Sequence, residues 1–197
     1  ERALQHANAG EILSEELKDP IALSKVLQQK AQVLQSLKRN NEALTTIEKA
    51  IPLIQDSPIH STSLSSQYML KGNILRDLQQ FTPALTSIQK GYHIAKSNGE
   101  KYLSDFSIAI GYLHQTTKQY PLAIQSYKQA LLTDAGSHNR CLIYNNLANI
   151  YKRQGKFDQA IEQLQVGLKT LLPELDITGP ALPLQASAIK HLQQKEF

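Results

Sequence analysis

Small residues recur along this chain about every forty positions, and that rhythm narrows its fold more than any other feature. Ala3, Ala43, Ala84, Ala123 and Ala160, each followed by an apolar residue, are separated by 40, 41, 39 and 37 residues. Seven residues after each alanine stands another small residue: Gly10, Ala50, Gly91, Ala130 and Gly167. Twelve residues before it runs a third row, Ala31, Gly72, Gly111 and Ala148, which Ala188 continues. Three before it an aromatic recurs as Phe81, Tyr120 and Phe157, with Asn40 as the exception and Phe197 on the same row. A period of this length marks one supersecondary unit stacked on copies of itself.

The segments between these rows read as helices. NNEALTTIEKAIPLI, TPALTSIQKGYHIA, PLAIQSYKQALL and DQAIEQLQVGLKTLL carry apolar residues at helical spacing, as do SKVLQQKAQVLQSL, SSQYMLKGNILRDL, SDFSIAIGYLHQT and NRCLIYNNLANIYKRQ. Strictly alternating β-branched runs are absent, so an all-α chain is expected. Breakers stand between the helices at Asp19-Pro20, Asp56-Ser57-Pro58, Asn98-Gly99, Ala135-Gly136-Ser137 and Gly155. Asp19, Ser24, Thr82, Ser104 and Asp158 are the expected N-terminal caps. Each unit is then a pair of antiparallel helices. The small rows fall where backbones cross closely, and the aromatic at the turn fills the gap between the paired helices. Such a hairpin cannot bury its apolar faces alone, so hairpins stack into a solenoid.

Composition excludes several classes. At 41% apolar residues, the 197-residue chain is too hydrophobic for disorder. No uncharged apolar run reaches the ~20 residues that span a bilayer. One cysteine, Cys141, allows neither an internal disulfide framework nor a cysteine-based zinc site. The net charge of +4 is too thinly spread for a nucleic-acid footprint, so no nucleic-acid partner is expected. Glutamine is in surplus, 21 residues against 17 Asp and Glu together.

The rows resemble the tetratricopeptide repeat, over essentially the whole chain. That family places a small residue midway in its first helix (A), an aromatic three later, glycine and then an aromatic at the turn, and two small residues in its second helix (B). The fourth copy matches with Leu147, Ala148, Tyr151, Gly155, Phe157, Ala160 and Gly167. The third gives Gly111, Tyr120, Ala123, Tyr127 and Ala130, and the second Gly72, Leu75, Phe81, Ala84 and Gly91. The first keeps Ala31, Leu34, Ala43 and Ala50 but has Lys38 and Asn40 where glycine and an aromatic are usual. The repeats exceed the usual 34 residues. They look like the long-period variants of bacterial signalling and regulatory proteins. The extra residues lie after the second small row of helix B, which predicts longer helices there.

The resemblance implies an all-α, right-handed superhelical solenoid of antiparallel hairpins. Its expected divisions are a helix B at 1–18, repeats at 20–58, 61–98, 100–135 and 138–172, and a helix A at 184–197. Both ends are then cut mid-repeat, and end-to-end self-association through these open repeats is expected. The proline-rich stretch 173–183 makes the last connection irregular. The chain shows no leader, which favours a cytoplasmic location; a trimmed signal peptide would place it in the periplasm.

No catalytic constellation is visible, and no enzyme activity, cofactor or metal is expected. The six histidines have no metal-binding spacing, and the glycines belong to helix crossings and turns. Binding is the expected function. The resemblance implies a concave face lined by the A helices, with groove positions three before, one after and four after the small helix A residue. In this chain these are Gln28, Gln32 and Gln35; Met69, Asn73 and Arg76; Ile108, Tyr112 and Gln115; and Asn145, Asn149 and Lys152, with Arg153 beside them. Amides both donate and accept hydrogen bonds, which suits an extended peptide backbone. Arg76, Lys152 and Arg153 suit a carboxylate. The implied function is a protein–protein interaction module holding a peptide or partner segment. The alternative is a sensory or regulatory domain of a larger bacterial signal-transduction protein, a histidine kinase or transcription regulator.

Overall fold

The structure, a computed structural model, describes residues 2–133 and 135–172. These residues form nine α-helices and no strand. They fall into two compact units, one up to Ala135 and one from Gly136. The first holds α1 (Arg2–Glu16), α2 (Pro20–Ser36), α3 (Asn40–Ala50), α4 (Ser61–Asp77), α5 (Phe81–Ser97), α6 (Leu103–Thr116) and α7 (Tyr120–Leu131). The second holds α8 (Ser137–Arg153) and α9 (Phe157–Leu171). In the first unit each helix packs on the next one in the chain, and α2 also touches α4. Packing between chain neighbours is what defines a repeat array.

The small rows mark the crossings, as their spacing predicts. A methyl group at Gly72 would overlap Ile88 Cγ1 and stand 3.1 Å from the Ala84 carbonyl oxygen. That is where the middle of α4 meets the start of α5. Further along the same pair, a methyl at Gly91 would stand 2.8 Å from the Ser65 carbonyl oxygen and 2.7 Å from the Phe106 ring. At Gly111 it would stand 2.7 Å from the Tyr127 ring. The α4–α5 hairpin is thus pinned at two points by residues that lack bulk. Within the hairpins, Leu34, Ile47, Ile74, Ile88 and Leu113 are buried, and each such side chain contributes roughly 1.5–3 kcal/mol.

The turns from helix A to helix B share one construction. The last turn of each A helix is closed by two backbone bonds, for example Gln79 N to Arg76 O at 2.8 Å and Gln80 N to Leu75 O at 2.9 Å. Lys38, Gln79, Lys118 and Gly155 hold the same left-handed position, with φ of 62°, 60°, 60° and 71°. This is the Schellman closure that satisfies otherwise orphaned carbonyls at a helix end.

Three expectations are corrected. Among the five expected caps, Asp19 alone caps its helix, with Oδ1 accepting from Ile21 N and Ala22 N at 3.0 Å. Ser24, Thr82, Ser104 and Asp158 lie inside α2, α5, α6 and α9. The Ser24 hydroxyl instead donates to Ala50 O at 2.9 Å. The extra residues of the first repeat do not lengthen α3. Ile51 still holds helical geometry and bonds to Ile47 O, but Pro52 has no N–H to continue the ladder, and the chain passes through 3₁₀ turns at Ile51–Leu53 and Pro58–His60. The second repeat does spend its extra residues on helix, because α5 runs unbroken to Ser97. The aromatic at the turn is packed as Phe81 against the α4–α5 core, whereas Phe157 is 38% exposed. The expected helix at 184–197 and the irregular stretch 173–183 lie outside the described residues.

Candidate functional site

In the first unit, the expected groove positions of α2, α4 and α6 come together as a polar ladder. Gln35 Nε2 donates to Asp77 Oδ2 at 2.8 Å. The other carboxylate oxygen of Asp77 accepts from Arg76 Nε and Nη2 at 3.2 and 3.0 Å. Arg76 Nη1 donates to Asn73 Oδ1 at 3.2 Å. The Arg76 guanidinium lies over the Tyr112 ring at 5.6 Å from its centre, a cation–π contact from α4 to α6. Gln115 Oε1 accepts from the Tyr127 hydroxyl at 2.8 Å. Burial, with a smaller contribution from nearby Tyr112, pushes the ionisation of Tyr127 well above the usual phenol range. Tyr127 therefore stays a donor, and Gln115 keeps its two N–H donors for other partners. Tyr112 is 44% exposed and presents a ring face beside these amides.

Gln32 stands exposed on α2, and Ile108 is half-buried on α6. Met69 lines a cleft of about 330 Å³ between α4 and α6 together with Ser66, Tyr102 and Phe106. Asp77, which the repeat pattern does not single out, shares the charge of Arg76. Arg76 is thus not a free cation awaiting a carboxylate.

In the second unit Asn145, Asn149 and Lys152 are exposed along α8, with Arg153 beside them. Their spacing of four and three residues aligns them on one helical face. Among the described residues, neither Lys152 nor Arg153 has an ion-pair partner.

A further residue of the first unit escapes the groove rule. Gln67 lies five before Gly72, in a column otherwise filled by Val26, Phe106 and Ile143. It is 1% exposed, and its Nε2 donates to Ser24 Oγ at 2.8 Å. An amide in an apolar column is the sequence signal that marks it. It lines a second cleft, of about 490 Å³, between α2 and α4 with Gln28 and Gln32.

His114 Nδ1 lies 2.9 Å from Gln119 Oε1 at the α6–α7 turn. Cys141 is half-buried, in the α8 position that Ser24, Ser65 and Ser104 hold in the other A helices. Among the described residues no group of three or more His, Cys, Asp and Glu is placed to hold a metal ion. No described helix is long and apolar enough to cross a membrane.

Two tetratricopeptide repeat family models match the chain, one over residues 24–56 and one over residues 104–171. No curated protein matches. Solved structures of similar fold include MamA, with TM-score 0.67 and 15% identity over 85% of this chain and 88% of that one. Aspartyl phosphate phosphatase F from Bacillus subtilis is similar with TM-score 0.73 and 20% identity over 81% of this chain and 43% of that one. The Rap conjugation gene regulator of plasmid pLS20, solved in complex with the Phr* peptide, is similar with TM-score 0.67 and 11% identity over 88% of this chain and 50% of that one. The chain therefore spans half or less of the last two proteins. With matching repeat models, helix pairs crossing at the small rows, and structural neighbours of the same architecture, the chain belongs to the tetratricopeptide repeat family.

Proposed function

We propose that the A-helix face of the first unit binds an extended segment of a partner protein. The observation that carries this reading is the ladder of Gln35, Asp77, Arg76, Asn73 and Tyr112 across three successive A helices. The ladder holds its side chains in place before any ligand arrives, which reduces the ordering cost of binding. Gln115 and Asn73 offer unspent amide donors to a peptide backbone, and Tyr112 offers a flat apolar surface. The charge shared between Arg76 and Asp77 makes this face suited to an uncharged segment. The α8 face, with Lys152 and Arg153, suits an acidic one. A peptide is bound in the solved Rap regulator of similar fold, which agrees with an interaction role for this chain.

The test is a quantitative pull-down with the wild-type chain, with Arg76→Ala plus Tyr112→Ala, and with Asn149→Ala plus Lys152→Ala. The first pair is expected to reduce partner recovery at least ten-fold, and the second to reduce recovery of acidic partners. Unchanged recovery with both pairs rejects the residue assignment.

End-to-end self-association is a second reading. What favours it is the exposed apolar row Ile12, Leu13 and Leu17 at and just beyond α1. Sedimentation equilibrium is expected to show concentration-dependent dimers, and a strict monomer at high concentration overturns it.

A further inference from the structure

The cleft between α2 and α4 contains a polar group that the chain itself does not satisfy. Gln67 is buried, and its Oε1 has no hydrogen-bond partner. The orientation of its amide follows from its neighbours. The Ser24 proton is committed to Ala50 O at 2.9 Å, so Ser24 Oγ is left as an acceptor facing Gln67. The amide must present its NH₂ there, and Oε1 is the atom left over. Leaving a buried acceptor unpaired costs stability, and a buried group of this kind calls for a partner.

The walls of the cleft narrow the chemistry of that partner. They carry amides and hydroxyls from Gln28, Gln29, Gln32, Ser63 and Ser66, with Lys25 and His60 as the ionisable groups and no acid. An ammonium or guanidinium group would meet Lys25 with no countercharge. A carboxylate would find Lys25 and His60 at the wall but has no N–H to give Oε1, which would stay an acceptor facing acceptors. A hydrocarbon would leave Oε1 as it is. A primary carboxamide has two N–H donors and one carbonyl acceptor. One N–H can go to Gln67 Oε1 while its carbonyl accepts from the Gln28 amide or the Ser63 hydroxyl, the Ser66 hydroxyl being committed to Ser63 O at 2.8 Å. The volume of about 490 Å³ holds such a side chain together with a stretch of its backbone. Oε1 is closed to bulk water, so an entering ligand must displace a neighbour. Between the two helices Gln28 Nε2 stands 3.5 Å from Ser66 Oγ, the outer limit for a hydrogen bond.

We propose that the α2–α4 cleft is a subsite for a glutamine or asparagine side chain of the bound segment, with its amide N–H donated to Gln67 Oε1. This rests on the peptide-binding reading of the A-helix face and adds a specificity to it.

The experiment is an NMR titration of the 197-residue chain with three peptides, acetyl-Gly-Gly-Xaa-Gly-Gly-N-methylamide with Gln, Glu or Leu at the centre. The N-methyl terminus removes any second primary amide. The Gln peptide is expected to shift the side-chain NH₂ signals of Gln67 and Gln28 saturably, and to bind about ten-fold more tightly than the other two. Gln67→Met is expected to abolish that preference. Should Gln67→Met fail to fold, Gln28→Ala at the rim is expected to weaken Gln-peptide binding specifically. Equal binding of the three peptides, no binding, or a preference that survives both variants overturns the subsite. Shifts confined to Asn73, Tyr112 and Gln115 also overturn it but leave the peptide groove standing. The pull-down above decides the groove independently.

Discussion

The hairpins of the first unit and the single described hairpin of the second make the same turn from different residues. Lys38, Gln79 and Lys118 stand in the left-handed region in the first unit, and Gly155 stands there in the second. The closing bonds are alike, with Lys118 N to Gln115 O at 3.0 Å and Gly155 N to Lys152 O at 3.0 Å. A side chain in this conformation costs about 1 kcal/mol or more, and glycine avoids it. The first unit carries the strain at these three turns and again at Lys18 between α1 and α2, with φ of 53°, where the packing of the flanking helices on each other holds the turn. Turn geometry here is imposed by helix pairing, and the turn residue adapts to it. The crossings differ as well. Gly91 abuts the backbone of α4 and the ring of Phe106, whereas a methyl at Gly167 would stand 3.0 Å from Tyr144 Cβ and 3.7 Å from the Cys141 carbonyl oxygen.

The sharpest test of this contrast is a matched pair. Gly91→Ala is expected to destabilise the chain by about 2–3 kcal/mol, because the carbonyl of Ser65 cannot retreat without moving α4. Gly167→Ala is expected to cost about 1 kcal/mol or less, since only a small shift of Tyr144 is needed and alanine favours the helix. Urea denaturation followed by circular dichroism measures both. Equal losses would mean that the two crossings are equally tight.

Smaller effects are expected at the turns. Gly155→Gln places in the second unit the residue type that the first tolerates, at a cost of about 1 kcal/mol. The reverse change, Gln79→Gly, is expected to stabilise by about 0.5 kcal/mol, because relief of strain exceeds the added freedom of the unfolded chain. Thermal melts resolve these as changes of a few degrees or less. A destabilising Gln79→Gly would show that the glutamine side chain contributes packing that outweighs its backbone strain.

Much of the helix pairing was legible because close backbone approach leaves a compositional trace. Where these helices touch, even a methyl group does not fit without a shift, and Gly72, Gly91 and Gly111 record it. The caps were less legible. A serine near a helix start reads as a cap, yet Ser24 lies one turn inside α2 and bonds across to Ala50. The helical pattern does not say where the first turn begins. The candidate groove was legible in part. Family spacing identified Gln35, Asn73, Arg76 and Tyr112 as neighbours on one face, and the structure joins them. Asp77 was not legible, because its role depends on α2 lying close enough for Gln35 to reach it. Gln67 stands out in sequence as an amide in an otherwise apolar column, but its role was hidden for a related reason: the Ser24 that makes burial of its amide tolerable comes from another helix.

The sequence by itself determined that the chain is an all-α array of helix pairs, since its small rows and apolar spacing are local demands of helices that cross. Tertiary structure alone decided which polar groups are spent and which remain available. Arg76 is compensated by a neighbour that Gln35 also holds, and Gln67 keeps an unpartnered oxygen at the α2–α4 junction. Hydrogen bonding is directional and short in range. Whether a donor finds its acceptor therefore depends on distances between helices that residue spacing along the chain does not encode.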